Sequence, residues 1–398
     1  MFLDLIRRRN PALIEHAIAL HQSGRLPSNS YVIDLDAVEG NARIIAGAAT
    51  RLNLKAFAMT KQMGRNASFC QAVARGGLDQ AVAVDMECAR ATHRAGMRLG
   101  HIGHLVQVPR FEAGAAASLQ PEYWTVFNLE KAIEAGSGAA RLGRTQAILA
   151  RIVAPGDTFY RGHEGGFAAE HVVAVADAID RVPGARFAGV TSFPTQLFDH
   201  ASGKVKPTPN LDTLARAVEA LRNAGRSEIE MNAPGTTSTE ILPMLAQAGA
   251  TQIEPGHGLT GTTPLHVVED LPEIPAVVYL SEVSHLIGSE AFCFGGGLYI
   301  DPVFPDYPLK AIVSREPTAA ADRLAPVEIP APNAIDYYGM IDATGLVKPS
   351  VGDSVVFGFR PQAFVTRAYV AGVSGLSRGA PKVETISDAL GRTADWPL

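Results

Sequence analysis

Eight short apolar runs alternate with helix-like segments between residues 56 and 254 of this chain. Each run has the length and apolar content of a buried strand, and the segment 210–225 is typical of the helices because it ends in a glycine. The predicted strands are 56–60, 80–84, 102–108, 123–127, 146–153, 187–192, 228–232 and 251–254. This count predicts an α/β fold with an N-terminal (β/α)8 TIM-like barrel, and an open doubly wound sheet is the alternative.

The periodicity changes after residue 275, where strand-like runs are separated by Gly and Pro turns and helical segments become rare. That pattern predicts a C-terminal β-strand domain. We place the boundaries at 1–30 for an N-terminal helical extension, 31–268 for the barrel and 269–398 for the β domain. Residues 31–47 read as a strand that runs into a helix at the barrel's entrance.

Composition excludes several classes of protein. The 398 residues are 47% hydrophobic, and 35 basic against 40 acidic side chains leave no basic tract for nucleic acid. No apolar run approaches the roughly 20 residues of a membrane span, and the N-terminus lacks the apolar core of a signal peptide. Cys70, Cys88 and Cys293 are odd in number and widely spaced, which favours a reducing, cytoplasmic location.

The barrel predicts chemistry at the C-terminal ends of its strands and in the loops that follow. Lys61 follows the first strand, 232–239 (NAPGTTST) follows the seventh, and 254–264 (EPGHGLTGTTP) follows the eighth. Backbone N–H and hydroxyl groups in such loops hold phosphate, and the predicted phosphate-binding residues are Gly235, Thr236, Thr237, Gly256 and His257.

A lysine and a phosphate site at one barrel mouth favour an aldehyde cofactor that carries a phosphate. Pyridoxal phosphate, held on Lys61 as a Schiff base, fits this description. The alternative is a strand-end lysine whose stem packs while its ammonium group reaches water.

These motifs, in this order, resemble the alanine racemase-like, fold-type III family of pyridoxal-phosphate enzymes. The resemblance runs from about Tyr31 to Val373 and rests on YVIDLDAVEGN, AMTKQMGRN, VTSFPTQ, NAPGTTS and EPGHGLTG, with the YhfX-like proteins as the nearest branch. It implies a homodimer in which the β domain of a second subunit completes each active site. It also implies that Lys61 forms the Schiff base and then acts as a base at the substrate α-carbon.

The resemblance gives further residues a role near the cofactor. Arg65 stands where alanine racemases have a phosphate-contacting tyrosine, and Arg161 resembles the arginine that approaches the cofactor hydroxyl. Phe193 follows the sixth strand, where relatives often place a histidine against the cofactor ring; the segment SFPT has no histidine there, and Phe193 is the candidate for that contact. For each of these three, a surface or core-packing role is the alternative.

Alanine racemases have an arginine directly before the Pro-Gly pair, whereas this sequence has Glu254 at that position. It resembles the EPG motif of the family's ornithine and diaminopimelate decarboxylases. A carboxylate at the pyridine nitrogen favours its protonated form and so stabilises negative charge at the α-carbon. Glu254 therefore implies carbanion chemistry without choosing between loss of a proton and loss of carbon dioxide; a loop salt bridge is the alternative.

Inversion at a carbon requires a second acid or base, because one lysine does not serve both faces. The segment 335–343 resembles the decarboxylases' cysteine-containing segment, with Tyr338 where their catalytic cysteine stands. Tyr338 is the first candidate, followed by Tyr337 and Cys293. A half-buried structural residue of the β domain is the alternative for all three.

We therefore expect a pyridoxal-phosphate-dependent amino-acid racemase or epimerase with no metal, because the histidines form no metal-binding motif. The alternatives are a lyase on the same scaffold, either an amino-acid decarboxylase or a D-amino-acid dehydratase or aldolase, and a non-catalytic carrier or regulator. The sequence does not define the substrate side chain.

Overall fold

The computed structural model describes residues 1–396, and its chain contacts divide these residues into two compact units. The barrel unit comprises residues 43–60 and 73–258. The sheet unit comprises residues 1–42, 61–72 and those from 259 onward. The grouping differs from boundaries drawn along the sequence at 30 and 268, because the N-terminal helices and residues 61–72 belong with the C-terminal strands.

Helices and strands are numbered in chain order. The α-helices within the described residues are α1 Phe2–Arg9, α2 Pro11–Gln22, α3 Leu35–Arg51, α4 Ala67–Arg75, α5 Met86–Arg94, α6 Ala113–Ser118, α7 Leu129–Ala140, α8 Val172–Asp180, α9 Pro209–Asn223 and α10 Leu242–Gln247. The first strands are β1 Ser30–Asp34, β2 Lys55–Ala56, β3 Ala58–Met59, β4 Gln80–Ala83, β5 Arg98–Ile102, β6 Tyr123–Val126, β7 Gln146–Val153, β8 Phe167–Ala168, β9 Ala185–Thr191, β10 Gln196–Asp199, β11 Lys204–Pro207, β12 Glu230–Asn232 and β13 Gln252–Ile253. The later strands are β14 Val277–Ile287, β15 Glu290–Phe294, β16 Lys310–Ser314, β17 Leu324–Glu328, β18 Tyr338–Asp342, β19 Ser354–Phe357, β20 Tyr369–Ser374 and β21 Lys382–Ser387.

The barrel unit is a closed parallel sheet, as the sequence predicts. Its strands follow the order β2-β13-β12-β9-β7-β6-β5-β4-β3, so the path begins and ends on two consecutive segments that only Phe57 separates. The Phe57 N–H donates to the Ile253 carbonyl at 2.9 Å, which continues the pairing across the break. The two segments therefore act as one strand, and eight strands close the barrel.

The third barrel strand lies earlier in the chain than predicted. The prediction was 102–108, whereas β5 spans Arg98–Ile102. A β-bulge between Ala81 and Val82 of β4 leaves Gly100 unpaired in β5. A Cβ at residue 100 would lie 2.1 Å from the Phe57 ring, so this strand needs a glycine where an apolar pattern calls for a side chain.

Replacing Gly100 by alanine is expected to lower the free energy of unfolding by about 1–3 kcal/mol, because the added methyl group overpacks the barrel against Phe57. Equilibrium urea unfolding followed by circular dichroism measures the change. Gly114→Ala is the matched control: this glycine lies in α6, and a Cβ there would lie 3.9 Å from the Arg141 guanidinium, its nearest contact outside the backbone of the helix. Alanine there is expected to be neutral or to stabilise by up to about 1 kcal/mol. Equal effects for the two variants would contradict the packing argument.

The sheet unit contains a nine-stranded sheet in the order β15-β18-β17-β16-β19-β14-β1-β20-β21. Strand β14 also pairs with β15 through its last residues, so six of these strands close into a ring. All pairs are antiparallel except β1 with β20. This arrangement confirms the predicted C-terminal strand domain.

Apolar side chains of α1 and α2 pack on this sheet. The core they share with the strands includes Leu3, Ile6, Leu13, Ile14, Ile18, Val278, Leu280, Ile312 and Val356. The strand and helix predicted within 31–47 form β1 and α3, but β1 pairs with β14 and β20 of this sheet. None of the helices in residues 1–396 has the length and apolar content needed to cross a bilayer.

Candidate active site

Polar side chains converge where the barrel strands end. His101 lies on β5, Thr125 on β6, Thr191 ends β9, Asn232 ends β12, and Glu254 directly follows β13. All five are buried. Parallel strands bring their C-terminal ends to one edge, which is the usual position of a barrel's chemistry.

These side chains form a continuous hydrogen-bonded chain centred on Glu254. His101 Nδ1 donates to Glu254 Oε1 at 2.6 Å, since a carboxylate only accepts, and His101 Nε2 lies 2.6 Å from Thr125 Oγ1. Asn232 Nδ2 donates to the same Oε1 at 3.1 Å, and Thr191 Oγ1 donates to Asn232 Oδ1 at 2.7 Å. One carboxylate oxygen is therefore fixed by two donors.

The other carboxylate oxygen of Glu254, Oε2, differs from Oε1 in its hydrogen bonding. Oε2 lies 3.1 Å from His104 Nε2, yet it is buried and forms no hydrogen bond within the described residues. The Glu254 side chain is only 1% exposed, and Oε1 already accepts two hydrogen bonds while Oε2 accepts none from the residues described. Oε2 is therefore available to accept a hydrogen bond from a bound molecule.

Opposing effects act on the ionisation of Glu254. Burial alone raises the pKa of this carboxyl, but the neighbouring His104 and His101 and the bonds from His101 and Asn232 lower it below its usual value. The side chain is therefore a buried carboxylate at neutral pH. A buried carboxylate favours a positively charged partner.

His101, His104 and Glu254 also offer donor atoms to a metal ion, because these atoms lie within 4.8 Å of one another. Two ligands about 2.1 Å from a common ion stand roughly 3 Å or more apart. His101 Nδ1 and Glu254 Oε1 are 2.6 Å apart, which is a hydrogen-bond distance. The arrangement is that of a hydrogen-bonded network, and the expectation of no metal stays a prediction.

The two predicted phosphate loops contact each other in the barrel unit. The Thr236 N–H donates to the Gln196 carbonyl at 3.1 Å, and Thr237 is buried. A Cβ at Gly235 would lie 2.6 Å from that same carbonyl, and one at Gly258 would lie 2.6 Å from the Thr237 carbonyl. Glycines are therefore required where the backbones approach.

Ser238 lies in the first of these two loops. Ser238 Oγ is buried and has no hydrogen-bond partner within the described residues. Gly256 is half-buried, and His257 begins the short 3-10 turn His257–Thr260. The phosphate role of these residues stays a prediction, and Ser238 joins them.

Phe193 stands in a cluster of rings. It meets His104 edge-on with ring centroids 5.7 Å apart, and it also contacts Tyr160 at 5.9 Å and His163 at 6.0 Å. Since His104 adjoins Glu254, these contacts connect Phe193 to the carboxylate. Its predicted contact with the cofactor ring stays a prediction.

Two arginines, one on β7 and one in the loop that follows it, differ sharply in environment. Arg161, the predicted cofactor contact, has 98% of its side chain exposed and pairs with Glu164 at 3.3 Å. Arg151, on β7, is 1% exposed and donates to the carbonyls of His163 and Phe193. The role of Arg161 stays a prediction, while Arg151 is the arginine placed beside Phe193.

Lys61 lies in the sheet unit, two residues beyond the end of β3. It begins the 3-10 turn Lys61–Met63, and its Nζ lies 4.4 Å from the centroid of the Phe364 ring. Arg65 follows with a left-handed backbone (φ 53°), is buried, and places its guanidinium carbon 5.6 Å from the same ring. Lys61 and Arg65 thus share one aromatic neighbour.

The candidates for a second acid or base also lie in the sheet unit. Tyr338 begins β18, is half-buried, and meets His285 edge-on with ring centroids 5.0 Å apart. Cys293 on β15 is fully buried, and burial raises the pKa of its thiol to about 11. Cys293 is enclosed, whereas the half-buried Tyr338 is accessible in part, so Tyr338 stands ahead of Cys293.

The sequence did not predict a role in the site for five residues around Glu254: His101, His104, Thr125, Thr191 and Asn232. The available signal was a pair of histidines three residues apart at the end of a strand, which the misplaced third strand obscured. Arg151 also carried a signal, because it is a lone charge inside the apolar run 146–153.

Comparison with known proteins covers nearly the whole chain. Residues 33–264 match the family model for the alanine racemase N-terminal domain, and residues 278–383 match that for the YhfX-like C-terminal domain. A protein of Escherichia coli (strain K12), described as uncharacterized protein YhfX, is 38% identical over 395 residues, which is 99% of each chain.

Solved structures share the fold at low sequence identity. D-threonine aldolase from Filomicrobium marinum has a TM-score of 0.69 and 16% identity, over 93% of this chain and 96% of its own. Alanine racemase of Clostridium difficile 630 in complex with cycloserine has a TM-score of 0.63 and 14% identity, over 92% and 99%. D-threo-3-hydroxyaspartate dehydratase from Delftia sp. HT23 has a TM-score of 0.64 and 14% identity, over 90% and 97%.

Proposed function

The chain belongs to the alanine racemase-like, fold-type III family of pyridoxal-phosphate enzymes, in its YhfX-like branch, and from this we propose that it is a pyridoxal-phosphate-dependent amino-acid racemase or epimerase. When bound, the cofactor supplies an electron sink that stabilises negative charge at the substrate α-carbon. The residues of the chain supply binding, orientation and proton transfer.

The buried Oε2 of Glu254 is the observation that carries the proposal. It lacks a hydrogen bond within the described residues, and its partner oxygen is fixed by His101 and Asn232. A protonated pyridine nitrogen offers the single N–H and the positive charge that this oxygen would accept. Glu254 thus holds a proton at the ring nitrogen.

The phosphate is assigned to the loops after the seventh and eighth barrel strands. The close approach of Gly235 to Gln196 and of Gly258 to Thr237 keeps these loops compact, and Ser238 Oγ is a buried hydroxyl without a partner in the described chain. Backbone N–H groups and hydroxyls of Thr236, Thr237 and Ser238 are the donors we assign to the phosphate oxygens.

Lys61 would hold the cofactor covalently, and its amine, freed when the substrate amine takes its place, would accept the α-proton, while Tyr338 would return a proton to the opposite face. We assign the second role to Tyr338 because it is half-buried beside His285, whereas Cys293 is fully enclosed. We propose a homodimer in which the sheet of one subunit completes the active site of the other. A cytoplasmic location accords with the three free cysteines.

A lyase on the same scaffold is the second candidate function. Glu254 favours it equally, since a stronger electron sink assists cleavage of any bond at the α-carbon. The fold neighbours include an aldolase and a dehydratase as well as a racemase.

Incubation of the purified holoprotein with a panel of amino acids in heavy water separates these functions. We expect deuterium at the α-position with mixed chirality for at least one substrate, unchanged after dialysis against EDTA, and no exchange with the Lys61→Ala variant. Net loss of amino acid with release of carbon dioxide, ammonia or an aldehyde would replace the racemase with a lyase. No exchange with any substrate would favour a carrier.

A further inference from the structure

We propose that Asn66 is a positioning residue: it fastens the turn that carries Lys61 to strands β20 and β21, and so places the lysine amine for its reaction. This inference rests on the proposed function, in which that amine condenses with the cofactor's aldehyde carbon and water leaves. The residues that carry the argument all lie in the sheet unit, where 61–72 group with the C-terminal strands. Asn66 acts through Lys61 and is given no contact with the cofactor.

The first observation is the backbone directly after the lysine. Lys61–Met63 form a 3-10 turn, and the next two residues, Gly64 and Arg65, have left-handed backbones with φ of 56° and 53°. The helix α4 then begins at Ala67. A left-handed conformation is unfavourable for arginine, so it persists only where the surrounding structure fixes it. Contacts from outside the turn must therefore hold this backbone.

The second observation is the amide nitrogen of Asn66, a residue with no exposed surface. Nδ2 donates to the Val370 carbonyl of β20 and to Ser387 Oγ of β21, each at 3.0 Å. Val370 and Ser387 are themselves paired across these two strands. Both N–H groups of the amide are therefore used to join the lysine turn to the sheet.

The third observation is the amide oxygen, which connects the same strand to the helix. Asn66 Oδ1 accepts from Thr385 Oγ1 of β21 at 3.0 Å. As the N-terminal cap of α4, it also accepts from the Phe69 N–H at 3.1 Å. A helix cap needs only the second of these bonds, so the contacts with β20 and β21 go beyond capping.

The fourth observation is the segment after β21, which packs on the left-handed backbone. A Cβ at Gly391 would lie 2.8 Å from the Arg65 carbonyl oxygen, and a Cβ at Gly64 would lie 3.1 Å from that of Ala389. The two backbones are therefore in contact, and both positions require glycine. The chain after β21 restrains the turn by packing, as Asn66 does by hydrogen bonds.

The restrained backbone places two cations against one ring. Lys61 Nζ lies 4.4 Å from the centroid of Phe364, and the Arg65 guanidinium carbon lies 5.6 Å from it. Because the backbone from 61 to 65 joins these two side chains, movement of the turn displaces the amine from the ring. A ring face stabilises the ammonium form of a lysine, so this displacement also changes how readily the amine reacts.

A simple helix cap is the competing explanation for Asn66, and three variants separate the two roles. Asn66→Ala removes the cap and the strand contacts together. Asn66→Ser keeps a neutral capping oxygen but is too short and lacks the N–H groups that reach β20 and β21. Asn128→Ala is the matched control, because Asn128 caps α7 by accepting from the Lys131 N–H at 2.9 Å.

The first measurement uses the protein without cofactor. Trace labelling with acetic anhydride across a range of pH, followed by peptide mass mapping, gives the reactivity of each lysine amine. At neutral pH, Lys61 is expected to label about 2- to 5-fold faster in both Asn66 variants, because loss of the Phe364 contact destabilises the ammonium form. Lys310, which is exposed on β16, is the internal reference and is expected to label at the wild-type rate.

The second measurement uses the holoprotein. Both Asn66 variants are expected to hold the cofactor about 10-fold more weakly, as measured by titration of its visible absorption, and to lower kcat by about 10-fold or more with little change in KM. Asn128→Ala is expected to match wild type in both. Circular dichroism and the melting temperature report folding, and Thr385→Val, which removes one bond from the β21 side, replaces any Asn66 variant that does not fold.

Faster labelling of Lys61 and weaker cofactor binding in both Asn66 variants, with wild-type values in Asn128→Ala, support the inference. Wild-type labelling and cofactor binding in Asn66→Ser, or equal effects in Asn66→Ala and Asn128→Ala, overturn it and leave a helix cap. A wild type without visible absorption at saturating pyridoxal phosphate overturns the proposed role of Lys61 instead. The labelling still decides in that case whether Asn66 holds the turn.

Discussion

Replacing Lys61 by alanine is expected to lower turnover by a factor of about 10³ or more and to remove the visible absorption of covalently held cofactor. In the proposed function this side chain supplies both the covalent link and the base. Lys55 on β2 is not expected to replace it. Turnover by chiral chromatography and the absorption spectrum of the saturated protein provide the measurement. Methylamine is expected to restore part of the activity by supplying an amine.

Lys55 is the matched control, because it begins β2, six residues before Lys61 in the chain. Burial alone lowers the pKa of Lys55, but its bonds to Glu122 and Tyr123 raise it to about 12. It therefore stays protonated at neutral pH and is a poor nucleophile. Lys55→Met is expected to keep the absorption band; loss of the band in this variant but not in Lys61→Ala would contradict the assignment.

Replacing Glu254 by glutamine is expected to lower turnover about 10²- to 10⁴-fold while pyridoxal phosphate still binds. The amide has nearly the same shape, but it carries no charge to hold a proton at the pyridine nitrogen. It also disturbs the bonds with His101 and Asn232, because an amide nitrogen facing either donor is repelled. Steady-state kinetics with a cofactor titration separates turnover from binding.

Glu240→Gln is the control for this variant, since Glu240 is exposed in the loop that follows the seventh strand. It is expected to match wild type in turnover and cofactor affinity. Glu254→Asp keeps the charge but withdraws the carboxylate, so it is expected to fall between wild type and Glu254→Gln. A Glu254→Gln protein with wild-type turnover would remove the carboxylate from the chemistry.

The barrel was predictable because its strands are buried on both sides and read as short apolar runs. The run 146–153 coincides with β7 residue for residue. The third strand was misplaced because β5 begins with an exposed arginine and contains Gly100, whose position is dictated by Phe57 from another strand. A contact between residues distant in sequence leaves no mark on local periodicity.

The same limit applies to the site. Glu254 is visible in the sequence beside its Pro-Gly pair, but its contacts with His101 and His104 depend on barrel closure over about 150 residues of chain. Arg161 was singled out by its resemblance to the family arginine that approaches the cofactor hydroxyl, whereas Arg151 lies within an apolar strand. Burial, which the sequence alone does not report, distinguishes the two.

Borohydride reduction of the cofactor-saturated protein, followed by peptide mass mapping, determines which lysine carries the cofactor. We expect one modified peptide, with the pyridoxyl phosphate group on Lys61. An unmodified Lys61 peptide under saturating cofactor, or a stable adduct on another lysine, would contradict it.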